Sequence, residues 1–215
     1  MDAEELLKRY AAGERDFSGI DLSGADLRET NLEGIDLSGA DLREAQLKFI
    51  DLSGANLSGA DLRKAFLKSA NLRRANFNNA NLRFAFLMHA KMDEVTAIDA
   101  DLRDTILENA WIENAVLRRA KLKRAKMSRG VFTETDFSHA DLYFARIKSA
   151  GMFKNNFTGA NLNRISTNQT SFHECNFTNC CLRKAHIPEM EIRLRDAIFC
   201  NTIMPDGSIR NDHCR

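Results

Sequence analysis

The sequence predicts an all-β solenoid, a quadrilateral β-helix of about nine 20-residue coils with a short N-terminal capping helix. Three observations carry this. First, a large apolar residue returns at every fifth position, as Leu22, Leu27, Leu32, Leu37, Leu42 and Leu47 do in DLSGADLRETNLEGIDLSGADLREAQL. Second, the residue two before each centre, from Ile20 to Met190, is Ala, Gly, Cys or Thr in 28 of 35 cases, so large and small side chains share a narrow interior. Third, every fourth centre forms one pure column: Leu22, Leu42, Leu62, Leu82, Leu102, Leu122, Leu142, Leu162 and Leu182.

Five residues turn an α-helix through about 500°, which scatters the leucines around the cylinder. Five residues along a flat strand place successive leucines on opposite faces. A chain that bends once per pentad points them all inward. The frame runs unbroken from Phe17 to Ile192, 36 pentads, and 34 of its centres are Leu, Ile, Met or Phe; Ala97 and Thr167 are the exceptions. Reading every third centre yields no pure column, which favours four sides over three. Coils paired like strands sit roughly 4.8 Å apart, giving a stack about 43 Å long.

Taken in order, residues 1–15 form an N-terminal cap. DAEELLKRYAAG reads as a helix with Asp2 as N-cap, Glu5 three residues on and Gly13 as the stop; Leu6, Leu7 and Tyr10 fall on one face, over the first coil. Residues 16–193 form the coils. Local distortion is expected at VTAID around Ala97 and ISTNQT around Thr167. Residues 194–215 form a C-terminal cap whose frame is shifted by two residues, with Ala197, Phe199, Met204 and Ile209 facing inward and a turn at Pro205-Asp206-Gly207. These residues either close the stack or join two chains.

The succession A-D-L-S-G, A-N-L-S-G, A-D-L-R-K and A-N-L-R-R resembles the pentapeptide-repeat family over roughly residues 16 to 192. The resemblance implies a right-handed winding, and a non-catalytic protein that acts by binding other proteins. The opening YAAGERDF is similar to cyanobacterial members that begin with a helical cap, among them a heterocyst regulator. Gyrase-binding members imply the alternative of a DNA-mimicking topoisomerase-protection protein, dimeric through its C-terminal coils.

Composition narrows the field. Among 215 residues, 31 are Lys or Arg and 30 are Asp or Glu, a formal charge of +1, which opposes the acidic rod of a DNA mimic. No apolar run approaches the roughly 20 residues of a membrane span, and MDAEELLKRY lacks a signal-peptide core, so a cytoplasmic protein is expected. The five cysteines, Cys175, Cys180, Cys181, Cys200 and Cys214, are therefore expected as reduced thiols, with Cys175 and Cys180 packed inward. Cys181, Cys200 and His186 match no familiar zinc spacing, so no metal or cofactor is expected. The five histidines fall on different faces or coils beside no converging nucleophile, and no phosphate-binding or H-E-x-x-H motif occurs; catalysis is not expected.

The outward positions define the candidate partner surface. On the second face the residue after the centre reads Arg43, Arg63, Arg83, Arg103, Lys123 in successive coils, with Asp41, Asp61, Asn81 and Asp101 two positions earlier. This column is either a self-neutralising lattice or a surface in use. AVLRRAKLKRAKMSRG adds a basic girdle with Arg118, Arg119, Lys121, Lys123, Arg124, Lys126 and Arg129 and no acid among them. Only Tyr143 and Phe144 supply aromatics nearby, so nucleic acid is an unlikely partner and an acidic protein a better one. On the third face the outward residue before the centre reads Asp26, Gln46, Phe66, Phe86, Ile106, flanked by Phe84 and Met88, with Phe49 a coil earlier. Such a patch marks either a contact surface or rings folded over their neighbours at an inverted corner. Trp111 and Val131 form a smaller outward pair on the fourth face.

Overall fold

The computed structural model describes residues 1–188, 194 and 196–214. Helix α1 (Ala3–Ala11) opens the chain; Asp2 accepts from the Glu5 N–H at 2.9 Å, and acidic Glu4 and Glu5 occupy its first turn. Leu6 is fully buried, Leu7 and Tyr10 pack against the core, and the Tyr10 hydroxyl donates to the Glu33 carbonyl at 2.8 Å. The helix thus covers the first coil's open edge, which otherwise invites further pairing.

Parallel bridges then join residues twenty apart on all four sides, from Asp16↔Asp36 to Ser166↔His186. That spacing makes four pentads one coil. Corners are made by turns: the Leu22 carbonyl accepts from the Ala25 N–H at 3.0 Å, and the turn's third residue takes positive φ, as Glu29 (60°), Glu44 (59°) and Phe84 (62°) do. For a non-glycine residue this conformation costs roughly 1–2 kcal/mol. Backbone bonds to the next coil, such as Phe84 N–H to Arg103 O at 3.2 Å, hold it in place.

The bridges widen into true strands only on the fourth side, where β-branched and aromatic residues gather. Strands β1 (Trp111–Glu113), β2 (Val131–Thr133), β3 (Gly151–Phe153) and β4 (Ser171–His173) form one parallel sheet in the order β1-β2-β3-β4, in the same twenty-residue register. Phe17 and the leucine column from Leu22 to Leu182 are buried, none more than 3% exposed. On the first side the rings of Phe137, Phe157, Phe177 and Phe199 stack at 5.1, 5.3 and 5.7 Å.

Beyond the coils, Asn176↔Ile198 and Cys181↔Ile203 pair across 22 residues, so two residues are inserted before Ala197 and Phe199, both buried. Strand β5 (Thr202–Ile203) turns back antiparallel into β6 (Ile209–Arg210). Strand β6 and the tail beyond it fold over Phe199: Arg210 lies 4.1 Å from its ring centre, and the His213 N–H donates to its carbonyl at 2.9 Å. The last coil centre, Ile192, its small partner Met190 and the boundary at residue 193 lie outside the described residues.

Three expectations are corrected. Ile209 points outward, 60% exposed, because β6 pairs antiparallel as a hairpin arm instead of continuing the winding. The stretch around Ala97 is regular: Ala97 is buried and its N–H donates to Val116 O at 2.8 Å, since a missing side chain leaves the backbone ladder intact. Cys200 and Cys214 are joined as a disulfide rather than kept as thiols, because the tail's return brings their Cα atoms to 4.8 Å. Around Thr167 bends replace the usual turn, and the Thr167 hydroxyl donates to His186 O at 3.1 Å.

Candidate partner surface

The outward Asp and Asn residues begin as local structure. The Asp41 Oδ1 accepts from the Arg43 N–H at 3.1 Å, and the same Asx turn recurs at Asp21, Asp61 and Asp101. Three of these carboxylates then meet a guanidinium: Arg43 pairs with Asp41 at 2.5 Å, Arg63 with Asp61 at 2.6 Å, and Arg103 with Asp101, while Asp21 has Ser23 in the arginine's place. Lys123 reaches Asp141 in the next coil at 3.2 Å. The hydrogen bond from Arg43 holds the Asp41 carboxyl below its usual value; at Asp101 burial opposes ionisation and is outweighed by the bonds from Arg103.

Arg83 breaks this lattice. Asn81 stands where its neighbours have Asp, and it offers no charge. The Arg83 Nε is shielded from solvent and meets no acceptor, while its guanidinium lies over the Phe84 ring at 5.2 Å. The turn column beside it pairs by twos, Lys64 with Glu44 at 2.9 Å and Arg124 with Asp104 at 2.6 Å. Phe84 sits between these pairs, 43% exposed and in a left-handed backbone conformation that bulky residues seldom adopt.

Phe66 and Phe86 keep their bridge to one another, so the corner does not invert. Their rings face outward, half-buried, stacked 4.9 Å apart and parallel within 1°. With Phe84, Glu44 and Lys64 they line a hollow of about 370 Å³. A second hollow of about 230 Å³, lined by Arg43, Glu44, Arg63, Lys64, Arg83 and Phe84, adjoins it and shares three of its walls. The result is one trough with an apolar end and a cationic end.

Thus Phe66, Phe84, Phe86, Arg43, Arg63 and Arg83 come together. Ile106 continues the aromatic column through its bridge with Phe86, while Met88 and Arg103 are half-buried and line neither hollow. Phe49 is exposed but likewise outside them. Glu44 and Lys64 are trough residues that sequence reasoning missed; the turn column Glu44, Lys64, Phe84 held the signal. The girdle is less bare than its local sequence, because acids come from the preceding coil: Arg119 pairs with Asp99 at 2.6 Å, as Arg124 does with Asp104. Among the described residues, Arg118, Lys121, Lys126 and Arg129 make no ion pair. Trp111 remains 54% exposed on β1.

The depressed carboxylates give a pH dependence with a definite sign. Arg28 holds Asp26 down to about 2 from the ordinary 3.8, and Asp36, Asp41 and Asp104 are lowered too. A group whose folded pKa is lowered stabilises above its unfolded value and ceases to do so as pH falls through the folded one. Tm by circular dichroism is expected to be flat above about pH 5 and to drop between about pH 4 and pH 2. A Tm that rises across that interval contradicts the arrangement.

Among the described residues no helix is long and apolar enough to cross a membrane. No curated protein matches the chain. Among solved structures it is similar to HetL, a pentapeptide repeat protein involved in heterocyst differentiation regulation in Nostoc sp. strain PCC 7120, at 29% identity over 98% of this chain and 100% of that one, TM-score 0.47. It is also similar to full-length QnrB1, a plasmid-mediated fluoroquinolone resistance protein, at 20% identity over 85% and 80%, TM-score 0.47. Another Nostoc pentapeptide repeat protein is 33% identical over 60% and 81%, TM-score 0.21. The sequence pattern described as pentapeptide repeats recurs in eight copies over residues 20–59, 55–93, 70–109, 115–150 and 156–187, and the chain belongs to that family.

Proposed function

We propose that this protein is a non-catalytic interaction module: a cytoplasmic rod of about nine coils over residues 16–193, closed by caps at 1–15 and 194–215, that binds another protein through the corner of its second and third faces. Members of its family form right-handed quadrilateral β-helices and are generally structural or interaction proteins. The observation that carries the reading is the trough itself, where three outward phenylalanines gather beside an arginine column. Rings in that position contribute nothing to the coil interior, which is already filled. Exposed apolar clusters of this kind are typical of contact sites.

The topoisomerase-protection alternative needs an acidic rod. Here Arg43 and Arg63 meet Asp41 and Asp61, and among the described residues Arg83 and four girdle cations make no ion pair, so the surface opposes DNA mimicry. In a gyrase supercoiling assay with fluoroquinolone, stoichiometric protein is expected to give no protection.

Capture from host lysate tests the main reading. Wild-type protein is expected to retain specific partners that the Phe66→Glu/Phe86→Glu variant loses, with unfolding midpoints within a few degrees of one another. Unchanged partners on a folded variant refute the surface. An unfolded variant shows instead that the two rings are structural.

A further inference from the structure

We infer that the trough takes a short linear segment of its partner in which a large apolar side chain is followed by carboxylates. The inference rests on the reading above and specifies the chemistry of the occupant. At one end Phe66, Phe84 and Phe86 offer aromatic surface and almost nothing polar, so only an aliphatic or aromatic side chain gains by entering. At the other end Arg43 and Arg63 already hold Asp41 and Asp61, whereas Arg83 makes no ion pair among the described residues and reaches Asp101 and Asp104 only through its field. Arg83 has Asn81 rather than Asp beside it, and its Nε is withdrawn from water without an acceptor. A guanidinium carries five donors in a planar fork suited to a carboxylate. An incoming acid supplies the carboxylate that the coils on either side draw from Asp61 and Asp101.

The two ends share Glu44, Lys64 and Phe84, so one extended segment reaches both. A basic segment is rejected by Arg83. Charge complementarity therefore selects an acidic-apolar peptide.

The test uses the full chain against an array of octapeptides whose core is Leu or Phe followed by two acids, with flanks varied. Two control arrays replace the acids by Lys or the apolar residue by Ser. Affinities of the best peptides are then measured by fluorescence anisotropy. Enrichment of the apolar-acidic set is expected. Arg83→Gln should weaken those peptides about tenfold and Phe86→Ser by at least as much, while Arg129→Gln leaves them unchanged. Raising NaCl from about 50 to 300 mM should weaken binding by wild type more than by Arg83→Gln. Arg83→Gln is a surface change that keeps the core, so the result does not depend on the fate of Phe86→Ser. No enrichment over the controls, affinities indifferent to Arg83→Gln, or tighter binding of a single-stranded oligo-dT than of any peptide overturns the inference. If lysate capture still depends on Phe66 and Phe86 while the array is empty, the contact surface stands and only this assignment falls.

Discussion

Phe157→Ala is expected to cost about 3–5 kcal/mol, the largest loss any single truncation in this chain should produce. The ring is fully buried, stacked on Phe137 at 5.1 Å and Phe177 at 5.3 Å, with Phe172 edge-on at 6.1 Å. Removing it opens a cavity in the middle of a column whose rings stack on the coils above and below. The backbone cannot collapse into the gap, because every coil is tied to its neighbours by a parallel ladder. Stability in such a stack is a chain of nearest-neighbour terms. Phe157→Ala and Phe137→Ala together should therefore depart from additivity by about 0.5–1.5 kcal/mol. Phe157→Ala with Leu57→Ala, which occupies the same column five coils earlier, should add simply. Urea unfolding followed by circular dichroism reads both. Simple addition for the adjacent pair contradicts the stacked column.

That column also shows what was legible in advance. A strict period of five forces a corner per pentad, and a pure leucine column at twenty residues fixes four corners per coil, so the inward face of nearly every pentad follows from counting. The helix cap follows from Asp2, Gly13 and a one-sided apolar face. What counting misses are features set by contacts between coils or by the ends. The acids that neutralise Arg119 and Arg124 lie twenty residues back, so the stretch from 115 to 130 looks barer than it is. Ile209 fits the pentad frame in sequence, but the chain reverses at Pro205-Asp206-Gly207 and leaves the helical path. Cys200 and Cys214 meet only because of that reversal. The trough was half legible: the aromatics stood out against the expected Asp or Asn, whereas the lack of an acceptor at the Arg83 Nε required seeing that its neighbours' carboxylates are engaged.

Asn155 is the sharpest departure from the packing code, an amide at an inward position that is Ala, Gly, Cys or Thr in 28 of 35 pentads. It is 1% exposed. Its Nδ2 donates to the Phe132 carbonyl at 2.9 Å, and its Oδ1 accepts from the Thr135 N–H at 2.9 Å, so one side chain closes a corner of the preceding coil just after β2. Asn155→Ala strands both backbone groups away from water and should cost about 2–4 kcal/mol, more than the loss of a few side-chain atoms predicts. Asn155→Asp separates the roles of shape and hydrogen bonding. A carboxylate there accepts from Thr135 but faces the Phe132 oxygen with no proton to give, in a site that penalises charge. The acid's folded pKa must therefore rise above its unfolded value, so its contribution is retained below about pH 4 and lost as pH climbs through the folded value. Relative to wild type, Tm of Asn155→Asp should be closer at pH 5 than at pH 8. A gap that widens as pH falls from 8 to 5 shows that the bond to Phe132 is not what this residue supplies.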